Sequence, residues 1–189
     1  MTAGELRAFE EEVAKAFEEK RIRGPIHLSV GSEDELIEIF KAIKRTDWVF
    51  STWRSHYHAL LHGVPRETVM SEILAGRSMM LHFPEYRFFT SAIVGGILPI
   101  ACGVASEGER VWCFVGDMTA SIGAFHDAEK FASGHDLPIT FVVEDNGLAT
   151  NTPTAKTWGT LHATASRKTI RYSYKREFPH VGSRAFVPF

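Results

Sequence analysis

Val111-Trp-Cys-Phe-Val115 and, further along, Ile139-Thr-Phe-Val-Val143 are two short runs of continuously apolar strand formers. A strand with one wet face alternates apolar and polar residues. A run without polar interruption is covered on both faces, the condition of a strand inside a parallel sheet. Between the two runs, Ile122, Phe125, Ala128, Glu129 and Ala132 recur at helical spacing over Ala120 to Ser133, and Gly134 closes the pattern. Strand, helix and strand in this order make a βαβ unit. Open parallel sheets bind ligands beyond the carboxyl ends of their strands, so the residues following each run are where chemistry is expected.

The first of those loops reads Gly116-Asp117-Met118-Thr119 and the second Glu144-Asp145-Asn146-Gly147-Leu148. Magnesium takes oxygen ligands in near-octahedral geometry, few of them from protein and the rest from phosphate and water. Asp117 and Asn146 supply two such oxygens, and the crossover brings both loop tips to one sheet edge. A helix N-terminus is expected after Asp117. Together with the glycine before it, that end suits a diphosphate, making Gly116, Met118 and Thr119 candidate contacts beside Asp117. Read singly, Asp117 is equally a helix cap and Asn146 a turn residue.

The rest of the chain sets the class. Its 189 residues are 44% hydrophobic and 23% charged, an ordinary globular composition with length for one core, so one domain is expected. A formal net charge of −2, with acids and bases interspersed, leaves no basic stripe for nucleic acid or an anionic membrane surface. No apolar run approaches the roughly 20 residues of a membrane helix. Met1 to Lys20 is an acidic helical pattern without a signal-peptide core, so a cytoplasmic location is expected. Cys102 and Cys113 lack a CxxC partner and read as reduced, buried thiols.

Upstream, Leu6, Phe9, Val13 and Phe17 mark an amphipathic helix, and Gly24-Pro25 a turn. Ser32 with Glu33, Asp34 and Glu35 opens a second helix, and a third is expected over Pro65 to Ala75, stopped by Gly76. His58 and His62 share one helical face, but no carboxylate or cysteine nearby completes a zinc set.

Several longer fragments occur in a fixed order: Gly24-Pro25-Ile26-His27-Leu28, Ser51-Thr52-Trp53-Arg54-Ser55-His56, Ile93-Val94-Gly95-Gly96, Gly116-Asp117, and Leu137 through Ala149 with Thr152-Pro153. In that order the chain resembles the E1 component alpha subunits of thiamine diphosphate-dependent 2-oxoacid dehydrogenases, of pyruvate, branched-chain or acetoin type, over residues 1 to about 153. The resemblance implies an α/β protein of the thiamine diphosphate-binding fold, with a mostly parallel sheet and helices on both faces. It implies thiamine diphosphate and Mg2+ as cofactors, with the side chains of Asp117 and Asn146 and the backbone carbonyl of Leu148 as metal ligands. Arg54 would fork onto a terminal phosphate, Trp53 stands where the family usually has tyrosine, and Ala92 and Val94 match backbone positions at the aminopyrimidine ring. His27 and His56 match positions near the cofactor and become candidate catalytic residues, with ordinary polar packing as the other reading. Met118 in place of the motif's second glycine makes backbone approach to the diphosphate less free, and Asp145 replaces the first asparagine of the closing pair.

After Pro153 the resemblance ends. Residues 1–153 are therefore expected to form the diphosphate- and magnesium-binding domain, and 154–189 an arm that docks on a partner. Arg171 to Arg176 alternates enough for a strand or extended segment, and Phe186-Val187-Pro188-Phe189 gives an apolar end. By the resemblance, the partner is a beta-type subunit carrying the pyrimidine-binding domain and the activating glutamate, in a heterotetramer or larger, acting on a small-molecule carbonyl substrate. Two alternatives share the motif: a split transketolase-like half, and a catalytically silent scaffold.

Overall fold

The computed structural model describes residues 1–159 and 168–184. The chain opens with α1 (Ala3–Glu18) and α2 (Glu33–Phe40), then alternates β1 (Trp48–Ser51), α3 (His56–Leu61), α4 (Arg66–Leu74), β2 (His82–Phe83), β3 (Phe88–Thr90) and α5 (Ile97–Ser106). The βαβ unit follows as β4 (Val111–Gly116), α6 (Gly123–Gly134) and β5 (Ile139–Asp145). After it come the hairpin β6 (Leu148–Ala149) and β7 (Thr152–Pro153), the short helix α7 (Thr154–Trp158) and β8 (Thr169–Ser173).

Local chemistry explains the first helix. Thr2 Oγ1 accepts the Glu5 N–H at 3.3 Å while the Glu5 carboxylate accepts the Thr2 N–H at 2.7 Å, a reciprocal cap that satisfies two donors the helix cannot. Leu6, Phe9 and Val13 then form its buried stripe.

The strands lie in the order β2-β3-β1-β4-β5-β8, with β2 antiparallel to β3 and every other pair parallel. β4 and β5 run in register from Val111 opposite Ile139 to Gly116 opposite Glu144. Successive side chains of these strands enter opposite layers. Trp112, Phe114 and Val142 join one apolar cluster with α1 to α4, whereas Cys113, Val115, Phe141 and Val143 join another with α5 and α6. The fold is thus α/β with a mostly parallel sheet and helices on both faces, as the unbroken apolar runs imply. Both cysteines are buried free thiols, and burial pushes each thiol's pKa upward. No described helix is long and apolar enough to cross a membrane.

Two stretches differ from the expectation. The helix expected from Ala120 begins instead at Gly123, and a 3-10 turn over Thr119–Ser121 follows Asp117. Ser121 Oγ donates back to the Asp117 carbonyl at 3.0 Å, the kind of local side-chain bond that competes with helix, and Ile122 is extended at φ −88°, ψ 157°. No α-helix N-terminus stands directly after Asp117. The second stretch is the C-terminal segment: the strand or extended segment expected at Arg171 to Arg176 forms as the strand β8, but over Thr169–Ser173 and within this chain's own sheet, in register with β5 from Phe141 opposite Thr169 to Asp145 opposite Ser173. Arg167 and the apolar end at residues 186–189 lie outside the described residues.

Candidate functional site

Each of the five parallel strands delivers its following residues to one cleft at the carboxyl edge of the sheet. Trp53 and Arg54 come after β1, Val94 after β3, Asp117, Met118 and Thr119 after β4, Asn146 and Leu148 after β5, and Tyr174, Arg176 and His180 after β8. The structure therefore gathers Trp53, Arg54, Val94, Gly116, Asp117, Met118, Thr119, Asn146 and Leu148 around one cleft.

The oxygen donors among them are available. Asp117 is buried, and its Oδ2 has no hydrogen-bond partner. Burial first, and the neighbouring Asp145 charge second, raise its pKa to about 6. A carboxylate held this way is stabilised by a cation, which supplies the charge compensation its surroundings lack. Asn146 Oδ1 accepts the Leu148 N–H at 3.0 Å and keeps a second lone pair, while Nδ2 donates to the Tyr174 hydroxyl at 3.1 Å; these bonds fix which way the amide is turned.

Leu148 lines the cleft with its carbonyl free of strand pairing. The Thr154 N–H reaches the Gly147 carbonyl at 2.9 Å, so the next pair, Leu148 opposite Pro153, is a non-hydrogen-bonded one. Proline, which has no N–H, fits there, and the Leu148 carbonyl is left outside the ladder. Three oxygens of carboxylate, amide and carbonyl type thus fit a hard divalent cation completed by phosphate and water. Among the described residues no group of three or more His, Cys, Asp or Glu could hold a metal ion.

Cationic groups face the same space. Arg54 is buried, and its guanidinium donates to the Leu28 carbonyl and, at 3.4 Å, to the His180 carbonyl, leaving further N–H donors of its fork. Met118 has ordinary helical torsions, φ −71° and ψ −33°, so the backbone there does not demand glycine. Its sulfur accepts from Trp158 Nε1 at 3.2 Å, which draws the side chain toward α7.

Other candidates fall outside the cleft lining. Ala92 precedes Val94 in the same loop without lining the cleft. His27 lies one layer behind, its ring 4.9 Å from that of His180 and 5.8 Å from that of Trp53, with Nδ1 buried and unpartnered. Burial, then the Arg54 charge, push its pKa down to about 2, so it is neutral at physiological pH and offers no proton to a substrate. His56 is fully buried, with Nδ1 3.0 Å from Glu10 Oε2 and Nε2 2.8 Å from Ser78 Oγ. This resembles a nucleophile triad in connectivity, but Ser78 and Glu10 are fully buried too, and no substrate reaches them. Both ring nitrogens of His56 are occupied, so it is not placed to touch a ligand. His58 and His62 point to different partners, His58 to Glu144 at 3.2 Å and His62 to the Asp47 carbonyl at 3.1 Å.

The sequence reading missed Glu144, Tyr174, Arg176 and His180. Glu144 accepts from the Tyr172 hydroxyl and from His58, which anchors the start of the Asn146 loop. The charges at Arg171 to Arg176 were visible, but nothing local showed that this stretch returns to the carboxyl edge of the sheet.

The chain is 29% identical over 165 residues to the alpha subunit of acetoin:2,6-dichlorophenolindophenol oxidoreductase of Bacillus subtilis, covering 79% of this chain and 50% of that protein. It is 33% identical over 166 residues to the pyruvate dehydrogenase E1 component subunit alpha of Porphyra purpurea, covering 76% and 48% respectively. The corresponding Zymomonas mobilis subunit is 30% identical over 164 residues, with 78% and 46% covered. The chain spans about half the length of the curated relatives it matches. The sequence model of the dehydrogenase E1 component matches residues 1–168, and the chain belongs to that family.

Proposed function

We propose that this chain is the cofactor-holding, alpha-type subunit of a thiamine diphosphate-dependent enzyme that acts on a 2-oxo acid or a related carbonyl donor by oxidative decarboxylation and acyl transfer. Asp117, Asn146 and the Leu148 carbonyl would hold Mg2+, which would supply the charge compensation a diphosphate needs there. The observation that carries this reading is the buried, unpartnered Asp117 Oδ2 in one cleft with Asn146, Leu148 and Arg54.

Bound thiamine diphosphate supplies the carbon nucleophile and the electron sink for cleavage beside a carbonyl. The chain's residues bind and orient. Asp117 and Asn146 would hold the metal, Arg54 would fork onto phosphate oxygens, and Trp53 and Val94 line the same cleft. Gly116 at the end of β4, and Met118 and Thr119 in the loop after it, line the cleft where the diphosphate would lie.

A partner belongs to this reading. The cleft measures about 160 Å³, below the roughly 300–1,000 Å³ of pockets that enclose a small ligand, which supports a chain that supplies part of the site. The other end is assigned to a beta-type subunit with a pyrimidine-binding domain and an activating glutamate. That the relatives are themselves named as alpha subunits supports the assignment.

Capture of the tagged chain from its native source, followed by dye-linked assay of 2-oxo acids, tests the proposal. The co-purified assembly is expected to turn over and the chain alone to be inactive. Turnover by the single chain above an Asp117→Ala control contradicts the shared site, and an assembly inactive on every carbonyl donor contradicts the activity.

A further inference from the structure

The stretch from Tyr174 to Ser183 is fastened at several points, and it carries a second guanidinium into the cleft. The Tyr174 N–H donates to the Asp145 carbonyl at 2.9 Å, Glu177 N–H to Val30 at 3.3 Å and Gly182 N–H to Ile26 at 3.0 Å. Arg7 pairs with Glu177 at 2.7 Å. Gly31, at φ +111°, lies so close under this stretch that a Cβ would sit 2.1 Å from the Lys175 carbonyl oxygen, so only glycine permits the crossing. The backbone around Arg176 is thus presented by a scaffold on both sides.

Arg176 is half-buried, donates to the Thr150 carbonyl at 2.9 Å and to Asn151 Oδ1 at 3.3 Å, and lines the cleft together with Arg54. Among the described residues both guanidinium groups bond neutral acceptors, and neither is paired with a carboxylate. Burial first, then the Arg54 charge, lower the Arg176 pKa. Two partly desolvated cations converging without an anion cost free energy that a bound anion removes. His180 lines the cleft beside them. Burial and the two arginines push its pKa down to about 4, and its Nδ1 lies 3.5 Å from Arg176 Nη1.

We infer that Arg176 is a second anion-holding residue of the cleft, gripping diphosphate oxygens from the β8 side while Arg54 reaches them from the β1 side. The inference rests on the reading of the cleft as a diphosphate site and adds a residue from beyond the motif-bearing part of the chain.

Calorimetric titration of the full chain with inorganic pyrophosphate in the presence of magnesium tests it without needing a partner. Arg176→Gln is expected to weaken pyrophosphate roughly ten- to a hundredfold, the scale of charge-assisted bonds to phosphate, and Arg176→Lys to recover part. Asn151→Ala removes a neutral anchor of Arg176 but keeps its charge, and is expected to stay within about threefold of wild type. Thermal melts verify that each variant is folded. Wild-type affinity in Arg176→Gln overturns the inference, as does a loss in Asn151→Ala equal to that in Arg176→Gln, which would place the effect in the loop. Absence of pyrophosphate binding by the wild type overturns the diphosphate reading as a whole. Wild-type binding with an unaffected Arg176→Gln removes Arg176 alone.

Discussion

The side-chain amide of Asn146 donates to the hydroxyl of Tyr174 at 3.1 Å, so the loop after β5 is oriented by a residue that follows the edge strand β8. The bond leaves Asn146 Oδ1 turned toward the Leu148 N–H and available for a second acceptor role. Groups that orient a ligand are worth about as much as many ligands: their loss typically costs roughly ten- to a hundredfold in metal affinity. Tyr174→Phe is therefore expected to weaken magnesium, measured as the Mg2+ concentration that half-saturates thiamine diphosphate binding, by about tenfold. An unchanged midpoint would show that the hydroxyl does not set the amide.

Arg54 gives a prediction of a different kind, because its contribution depends on geometry as well as charge. Arg54→Ala is expected to weaken thiamine diphosphate by about 1.5–3 kcal/mol, the scale of hydrogen bonds to a charged group. Arg54→Lys should restore only part, since an ammonium lacks the planar fork. Parallel titrations with thiamine monophosphate and thiamine diphosphate check the contact, and equal affinities of wild type for the two would remove its basis.

His56 is expected to matter for folding and not for ligand. Glu10 holds the Ser29 N–H at 2.9 Å on one oxygen and His56 Nδ1 at 3.0 Å on the other, all of it buried. Glu10→Ala leaves both groups unpaired and should cost roughly 3 kcal/mol of stability in urea unfolding. Pyrophosphate affinity of the folded variant should stay at the wild-type value. A large loss of affinity at full stability would return His56 to the site.

These cases show what was legible in the sequence. The runs at Val111 and Ile139 announce their burial because nothing polar interrupts them, and the spacing of Leu6, Phe9 and Val13 announces a helix. Such signals are local and periodic, and they carried the fold class and the placement of Asp117 and Asn146 at one edge. Arg176 and His180 reach the cleft by a crossing under which Gly31 lies, between segments far apart in sequence, and no periodicity records that. His56 and His27 sit near motif residues in the chain, yet hydrogen bonding to Glu10 and Ser78 in one case, and a layer of aromatic rings in the other, keep them from the cleft. The turn at Thr119 displaced the expected helix start because one hydroxyl, that of Ser121, bonds its own loop.

His27 makes stability depend on pH in a stated direction. Its folded pKa is depressed to about 2, below the roughly 6.5 of an unfolded histidine, so the unfolded chain takes up the proton first as pH falls. The stability tied to neutral His27 is present above about pH 6.5 and is lost below it, by up to about 1.4 kcal/mol per pH unit. Urea midpoints at pH 7.5 and 5.5 measure this. In His27→Gln the decline should be shallower, and an identical decline would assign the titration elsewhere.

The most direct measurement of the central claim is the calorimetric titration of thiamine diphosphate into the protein, with the subunit that accompanies it, in magnesium and again in EDTA. Wild type is expected to bind only with the metal, and Asp117→Ala to lose most of that binding, because the unpartnered Oδ2 is the anionic ligand the metal needs. Equal affinity in wild type and Asp117→Ala, or binding that persists undiminished in EDTA, would contradict the site.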